Sequence, residues 1–346
     1  MKSVNKFHLN IRIRFKLISI KKYNNKLQKI WDDFVLQSKY GTIFHNQKFL
    51  SYHIEKNFTD FSLMFYEKNI LIAVLPACLI NKNKKNILVS HSGASFGGFL
   101  VKKEGFDLYN KILFSFEKHC VKNKIHKLKI IPTPSYYSNK ADSLFDYVSY
   151  LHDYKVSEKY ISHIIYLKNK KALNCFNQRK KRYLKNFLIN NPELKTEETK
   201  DFSGFYKLLK ENKKKFSVKP THSQEELKEI KKLYPEQCIF LSTCYKKKLI
   251  GGFLIIKTAQ SSALLFYNFV EQKCPLSNVG TYQIYQSIKF CIKNNLTILD
   301  LGVSQLPNNK NPLDPKHSLI KFKEQCGGVG LVRSVYEKQT KVYNEK

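Results

Sequence analysis

Two stretches of this 346-residue chain occur twice in the same order, and that repetition limits the fold more than any single motif does. YEKNILIAVL from Tyr66 is matched by YKKKLIGGFL from Tyr245, 179 positions on. FEKHCVKNKIHKLKI from Phe116 is matched by SIKFCIKNNLTILDL from Ser287, 171 positions on, which pairs Cys120 with Cys291 and Asn123 with Asn294. Lysine-rich hairpins can match by composition alone. The shared order, with offsets that differ by no more than a loop, favours duplication of one unit. The expectation is an α/β (α+β) chain of two similar units, residues 1–155 and 156–346, meeting near 154–162.

The elements read in the same sequence in each half. Residues 26–38 place Leu27, Ile30, Phe34 and Val35 at helical spacing, and Asn46 can cap a short helix ending near Ile54. Residues 61–66 and 70–79 flank Glu67-Lys68-Asn69 as a hairpin, followed by a strand at 87–89, a glycine-rich segment at 91–101, a helix at 108–122 and a strand at 127–131 stopped by Pro132. Downstream, 169–197 reads as a helix with a basic face, 202–215 and 224–233 as further helices, 264–270 as a strand and 277–281 as a helix start. A strand at 297–301 and a helix at 318–326 close the chain.

Composition bounds the setting. With 42% hydrophobic and 14% aromatic residues the chain can build a core. The longest apolar stretch, 70–80, falls short of the roughly 20 residues a membrane span needs and contains Pro76. Arg12, Arg14 and Lys16 interrupt the apolar residues of the N-terminus, which therefore reads as no signal peptide. The 8 cysteines form no CxxC pair, so reduced core thiols in a cytoplasmic protein are expected, with neither a zinc site nor a disulfide framework. Net charge is +34, but only 5 of the 61 basic residues are arginine. Dispersed lysines suit an anionic partner at low salt, such as a nucleotide, a pyrophosphate, tRNA or an acidic lipid leaflet, without marking a dedicated nucleic-acid reader.

Three segments could carry chemistry. The strand with Tyr267 and Asn268 feeds a helix start at Gly280-Thr281, where free backbone N–H groups suit a phosphate or an oxyanion. Asp300 lies in an apolar strand whose first-half counterpart is Lys129, so it is either structurally paired or functional, with Ser304 and Gln305 at the same strand end. His317 stands at the start of the last helix with Lys321 one turn on, while Lys323 reads by default as an ordinary surface lysine.

At these residues a resemblance emerges. A basic helix QRKKRYLKN, a strand ending Asp300-Leu301-Gly302 and the segment Lys321-Phe322-Lys323-Glu324-Gln325-Cys326-Gly327-Gly328 resemble the second half of FemAB-like transferases. The W-x-x-F at Trp31, the F-H-N-Q-x-F-L at Phe44 and the turn Phe96-Gly97-Gly98 resemble their first half. That resemblance implies two tandem GNAT-like domains, each a mixed, mostly antiparallel sheet flanked by helices, with the catalytic half at 156–346. It implies an acyl-CoA or aminoacyl-tRNA co-substrate and no permanently bound cofactor, although only Gly280 remains of the usual coenzyme A signature.

The leading expectation is a transferase that acylates an amine on a cell-envelope precursor, an amino sugar nucleotide or a lipid-linked saccharide, by direct attack in a ternary complex. Asp300, His317 and Tyr267 are the catalytic candidates. Arg179, Arg182, Asn268, Gly280, Thr281, Ser304, Gln305, Lys321 and Lys323 are the substrate-binding ones. A lipid-linked acceptor would bring the protein to the inner face of the membrane. One rival is an aminoacyl-tRNA-dependent peptidoglycan cross-bridge transferase gripping tRNA through Arg179 and Arg182. Another is a non-catalytic module that binds anionic glycan or nucleic acid.

Overall fold

The computed structural model describes residues 18–53, 58–137, 144–305 and 314–341. The first half runs β1 (Ser19–Lys22), α1 (Gln28–Gln37), α2 (Gln47–Leu50), β2 (Thr59–Asp60), β3 (Leu63–Glu67), β4 (Ile70–Leu75), β5 (Cys78–Lys82), β6 (Lys85–Ser90), β7 (Leu100–Val101), α3 (Phe106–Lys122), β8 (Ile125–Ile130) and α4 (Leu144–Leu151). The second half runs β9 (Lys155–Tyr166), α5 (Gln178–Asn190), β10 (Leu194–Glu198), α6 (Phe202–Lys214), α7 (Gln224–Leu233) and β11 (Cys238–Tyr245). It continues with β12 (Lys248–Ala259), β13 (Ser262–Val270), α8 (Val279–Lys293), β14 (Ile298–Val303), α9 (His317–Gln325) and β15 (Val329–Gln339).

The repeated sequences fold alike down to the backbone. The β3–β4 turn holds Lys68 and Asn69 at φ 48° and 65°, and the β11–β12 turn holds Lys246 and Lys247 at 48° and 64°. Both hairpins carry a register shift two residues before the turn, at Phe65/Tyr66 and at Thr243/Cys244. This bulge sets the true correspondence at one position less than the aligned tyrosines suggest. After α3 and α8, Lys124 and Asn295 take the same left-handed conformation, φ 54° and 56°, where the chain reverses into β8 and β14.

Other expectations need correction. The buried face of α1 runs through Trp31, Phe34 and Val35, while Ile30 is 49% exposed. Asn46 occupies the cap position of α2 without a side-chain bond to the helix, and Ile54 lies outside the described residues. The apolar run 70–79 breaks after Leu75, so β4 and β5 belong to different sheets. The basic helix ends at Asn190, and Leu194–Glu198 is the edge strand β10.

A four-stranded sheet, β1-β3-β4-β7, stands in the first half; the remaining strands form one sheet in the order β10-β11-β12-β13-β14-β9-β15-β8-β6-β5-β2. This larger sheet crosses between the halves. The last strand, β15, pairs antiparallel with β9 on one side and with β8 of the first half on the other. An apolar cluster joins the halves as well: Phe44, Phe49, Tyr52 and Phe96 pack with Phe205, Phe240, Leu254 and Tyr267. Among the described residues no helix is long and apolar enough to cross a membrane.

Candidate active site in the second half

Among the described residues each half contains one parallel strand pair, and the two pairs differ where it matters. In the first half β6 and β8 stay paired from Asn86/Ile125 to Ser90/Ile130. The pairing is then prolonged by Gly97, whose N–H donates to the Ile131 carbonyl at 2.8 Å. Gly98 follows at φ +88°, and a Cβ there would stand 2.7 Å from Pro132 Cα, so the Phe96-Gly97-Gly98 turn seals this side. In the second half β13 and β14 share three pairs, Ser262/Ile298, Ala263/Leu299 and Leu264/Asp300, and then part. From Leu265 onward β13 keeps β12 as its neighbour, and β14 keeps β9, which it pairs from Ile298 and meets again, after a register shift past Asp300, with Val303 opposite Ser162.

The residues of the D-L-G and K-F-K segments cause this parting. Asp300 Oδ1 accepts the Gly302 N–H at 2.7 Å, and Gly302 sits at φ +72°, which bends β14 away. The bend would strand the carbonyls of Gly302 and Val303. Both are instead satisfied by the Lys323 ammonium, which donates to each at 2.8 Å. Gly327 closes α9 at φ +91°, pressed against the Cys175 carbonyl, where a Cβ would overlap it at 1.9 Å.

The opening forms a cavity of about 200 Å³ lined by Lys213, Tyr267, Asn268, Leu301, Phe322 and Lys323 with further apolar side chains. Lys323 is buried rather than on the surface, and burial pushes its ammonium down to about 8. Burial also lowers Lys213, whose Nζ stands 5.7 Å from the centroid of the Tyr267 ring. Tyr267 is pushed the other way by burial, so its hydroxyl keeps its proton. That hydroxyl lies 2.9 Å from His222 Nδ1, and His222 Nε2 lies 2.6 Å from the Tyr52 hydroxyl of the first half.

The predicted residues divide. Tyr267, Asn268 and Lys323 meet at the cavity, and Asn268 ties its rim to α8 through a 3.4 Å bond to the Gly280 carbonyl. Gly280 has open space around its Cβ position, with only Phe322 at 3.9 Å, and Thr281 is buried beside it in the first helical turn. Asp300 does not face the cavity. Its fully buried carboxylate takes Ser162 Oγ at 2.8 Å, Tyr137 OH at 3.0 Å and Tyr136 OH at 3.2 Å in addition to the Gly302 N–H. His317 and Lys321 are exposed on α9 and do not converge with Asp300. Ser304 is buried with its Oγ 2.9 Å from His163 Nδ1, and the Gln305 side chain accepts the Ser304 N–H. Arg179 and Arg182 lie on the exposed face of α5, both against the Tyr183 ring. Lys180 of the same helix reaches the cavity wall, 5.4 Å from the Phe322 ring.

The neighbours of these residues that sequence reading missed are Lys213 in the cavity wall, His222 and Tyr52 beyond the Tyr267 hydroxyl, and His163 against Ser304. Lys213 was hidden in a run of lysines, and His222 stands in a loop far from both its partners. A signal did exist for the burial of Lys323: Leu319, Phe322 and Cys326 share its helix face at apolar spacing.

The arrangement can hold an activated acyl donor. The cavity-side edge of β13 offers backbone groups without a partner strand, α8 starts without a side-chain cap on its N–H groups, and Lys213 and Lys323 line the cavity. Among the described residues no group of three or more His, Cys, Asp or Glu side chains could hold a metal ion.

A hairpin, a mixed sheet and a helix leading into a strand, built twice, with the second copy splayed, is the tandem GNAT fold of FemAB-like proteins. No family model and no curated protein sequence matches the chain. Solved structures do: FemX shares 11% identity with a TM-score of 0.69, covering 93% of this chain and 97% of that one. A tandem GNAT protein from the clavulanic acid biosynthesis pathway, solved without AcCoA, shares 9% identity, TM-score 0.57, over 93% and 98% of the two chains. L-PGS from Bacillus licheniformis shares 11% identity, TM-score 0.56, over 94% of each. At such identities the likeness is one of fold.

Proposed function

We propose that this protein is an N-acyl or aminoacyl transferase acting on an amine of a cell-envelope precursor, either an amino sugar nucleotide or a lipid-linked saccharide, with the second half as the catalytic half. The observation that carries this reading is the opening between β13 and β14, lined by Lys213, Tyr267, Asn268 and Lys323, set against the sealed pair in the first half. The bound donor supplies an activated carbonyl. This chain's residues supply the rest: the free edge of β13 orients the acyl group, Lys323 offers its third N–H to developing negative charge, and the apolar wall of Leu301 and Phe322 excludes water. The fold shared with FemX and L-PGS supports an envelope setting. Mass spectrometry of the protein incubated with acetyl-CoA, alanyl-tRNA and candidate amino sugars tests it. An acylated amine is expected, and the absence of any transfer that depends on Lys323 would count against the reading.

The choice of donor turns on one further observation. The basic face of α5 begins at the cavity rim, where Lys180 meets Phe322, and continues outward through Arg179 and Arg182. This favours testing aminoacyl-tRNA as the donor alongside coenzyme A thioesters. A tRNA held there gives steep salt dependence of binding, with each neutralised phosphate adding close to one to the log–log slope. A shallow slope points to the small-molecule donor.

A further inference from the structure

Of the described side chains that line the cavity between β13 and β14, two carry charge, Lys213 and Lys323, and both are positive. We propose that this site selects its acyl group by charge, admitting an uncharged or anionic acyl group and turning away an aminoacyl group with a free α-ammonium, with Lys213 as the specificity-determining residue. The inference rests on the transfer reading above and names the substrate class of the same site.

No carboxylate stands ready to offset these cations. The elements β13 and α8 contain no acidic residue, and α6, β14 and α9 contain one each, Glu211, Asp300 and Glu324. None of the three lines the cavity. Asp300 is held elsewhere by four donors, and Glu324 is exposed. The other polar side chains of the lining, Tyr267 and Asn268, are uncharged. Just outside, Lys180 adds a third cation, 5.4 Å from the Phe322 ring.

The two lining lysines differ in what holds them. Lys323 donates to the carbonyls of Gly302 and Val303, and the nearby Asp300 favours its charge. Lys213 stands in the last turn of α6, where the carbonyl end of the helix favours an ammonium, and its Nζ lies 5.7 Å from the centroid of the Tyr267 ring. A ring face is a weaker partner than a carboxylate, so burial lowers this lysine and leaves it in want of an anion.

The remaining wall is apolar, with Leu209, Leu265, Ile284, Leu301 and Phe322, so charges inside act on one another with little screening. An ammonium carried in on an acyl group is repelled by both lysines and finds no carboxylate to receive it. A carboxylate supplies the missing partner of Lys213, and a methyl group meets the apolar wall without repulsion.

Two donor pairs isolate the charge. Butyryl-CoA and β-alanyl-CoA differ by a methyl group in place of an ammonium, and lactyl-tRNA and alanyl-tRNA by a hydroxyl in place of one. With the full chain, hydroxylamine as acceptor and a pH just below neutrality, each hydroxamate rate is divided by the rate without protein. The donor lacking the ammonium should be favoured in kcat/KM by at least about 10-fold in whichever pair is used. Lys213→Met keeps the length of the side chain and removes its charge, and should narrow the gap to about 3-fold or less. If Lys213→Met does not fold, Lys213→Gln takes its place. An ammonium-bearing donor used equally well, or a gap unchanged in the variant, overturns the charge selection and leaves the transfer reading standing.

A second readout needs no turnover. Sodium butyrate should raise the thermal midpoint of the unmodified protein above that in sodium chloride at the same concentration, butylammonium chloride should not, and the Lys213 variant should lose the butyrate effect. A midpoint indifferent to butyrate, or raised equally in the variant, overturns the charge selection. Hydroxamate from none of the four donors, with the butyrate effect present, overturns the transfer reading and leaves the cavity as an anion site.

Discussion

Lys323 shows how one side chain can serve architecture and chemistry together. Its ammonium completes the two carbonyls that the bend in β14 exposes, and it is held at about 8 by burial, against an ordinary value of 10.5. Below about 8 the lysine is protonated in both the folded and the unfolded chain, so the burial cost is constant there. Between about 8 and 10.5 the unfolded chain binds more protons, and stability therefore rises with pH across that window. Denaturant titrations at several pH values should show the rise in the unmodified protein and lose it in Lys323→Met. Transfer that depends on the ammonium should run the opposite way, falling as pH passes about 8. Asp300 is of another kind. With four donors on one buried carboxylate, Asp300→Asn removes the charge they share and sets an amide N–H₂ against hydroxyls that must turn their O–H groups away to accept it, at a cost of about 1–3 kcal/mol in stability. His317→Ala, by contrast, should leave both the denaturation midpoint and turnover unchanged. The resemblance to FemAB-like sequences picked out Asp300 and Lys323, but their roles were not legible, because Tyr136, Tyr137 and Ser162 lie more than 130 positions away from Asp300.

At the scale of elements, the two hairpins were readable because a short polar turn between apolar runs is a local pattern. Their common bulge was not, since it depends on cross-strand register. The β11–β12 turn places two lysines in the left-handed region, a conformation that Asn and Gly adopt at less cost. Lys246→Asn combined with Lys247→Gly should therefore stabilise the protein by about 1 kcal/mol, read as a higher thermal midpoint. Gly327→Ala should do the reverse: the positive φ and the overlap with the Cys175 carbonyl oppose any side chain, and loss of more than about 3 kcal/mol is expected. The strand β10 reads as helix in the sequence because the lysine-rich stretch before it masks the alternation of its short edge.

For the whole molecule the decisive element is β15, which pairs with β9 and with β8 of the first half. Together with the apolar cluster between the halves, this makes separate unfolding of either half costly. Calorimetry should show a single cooperative transition, and a chain ending at Gly328 should lose folded structure in both halves, because β8 and β9 would each be left with an unpaired edge. Two separated transitions would contradict this. The expected boundary at 155/156 falls at the start of β9, and the sheet continues through it.

The sequence alone determined the number and order of the repeated elements, because hairpin turns, helix stripes and helix-to-strand reversals are written in residues a few positions apart. It also carried the short motifs that resemble FemAB-like transferases. Only the tertiary structure decided which half opens, that Lys323 faces inward, and that Tyr52, His222 and Tyr267 meet. Those outcomes depend on strand register and on contacts between distant segments; His222 and Tyr52 alone stand 170 positions apart.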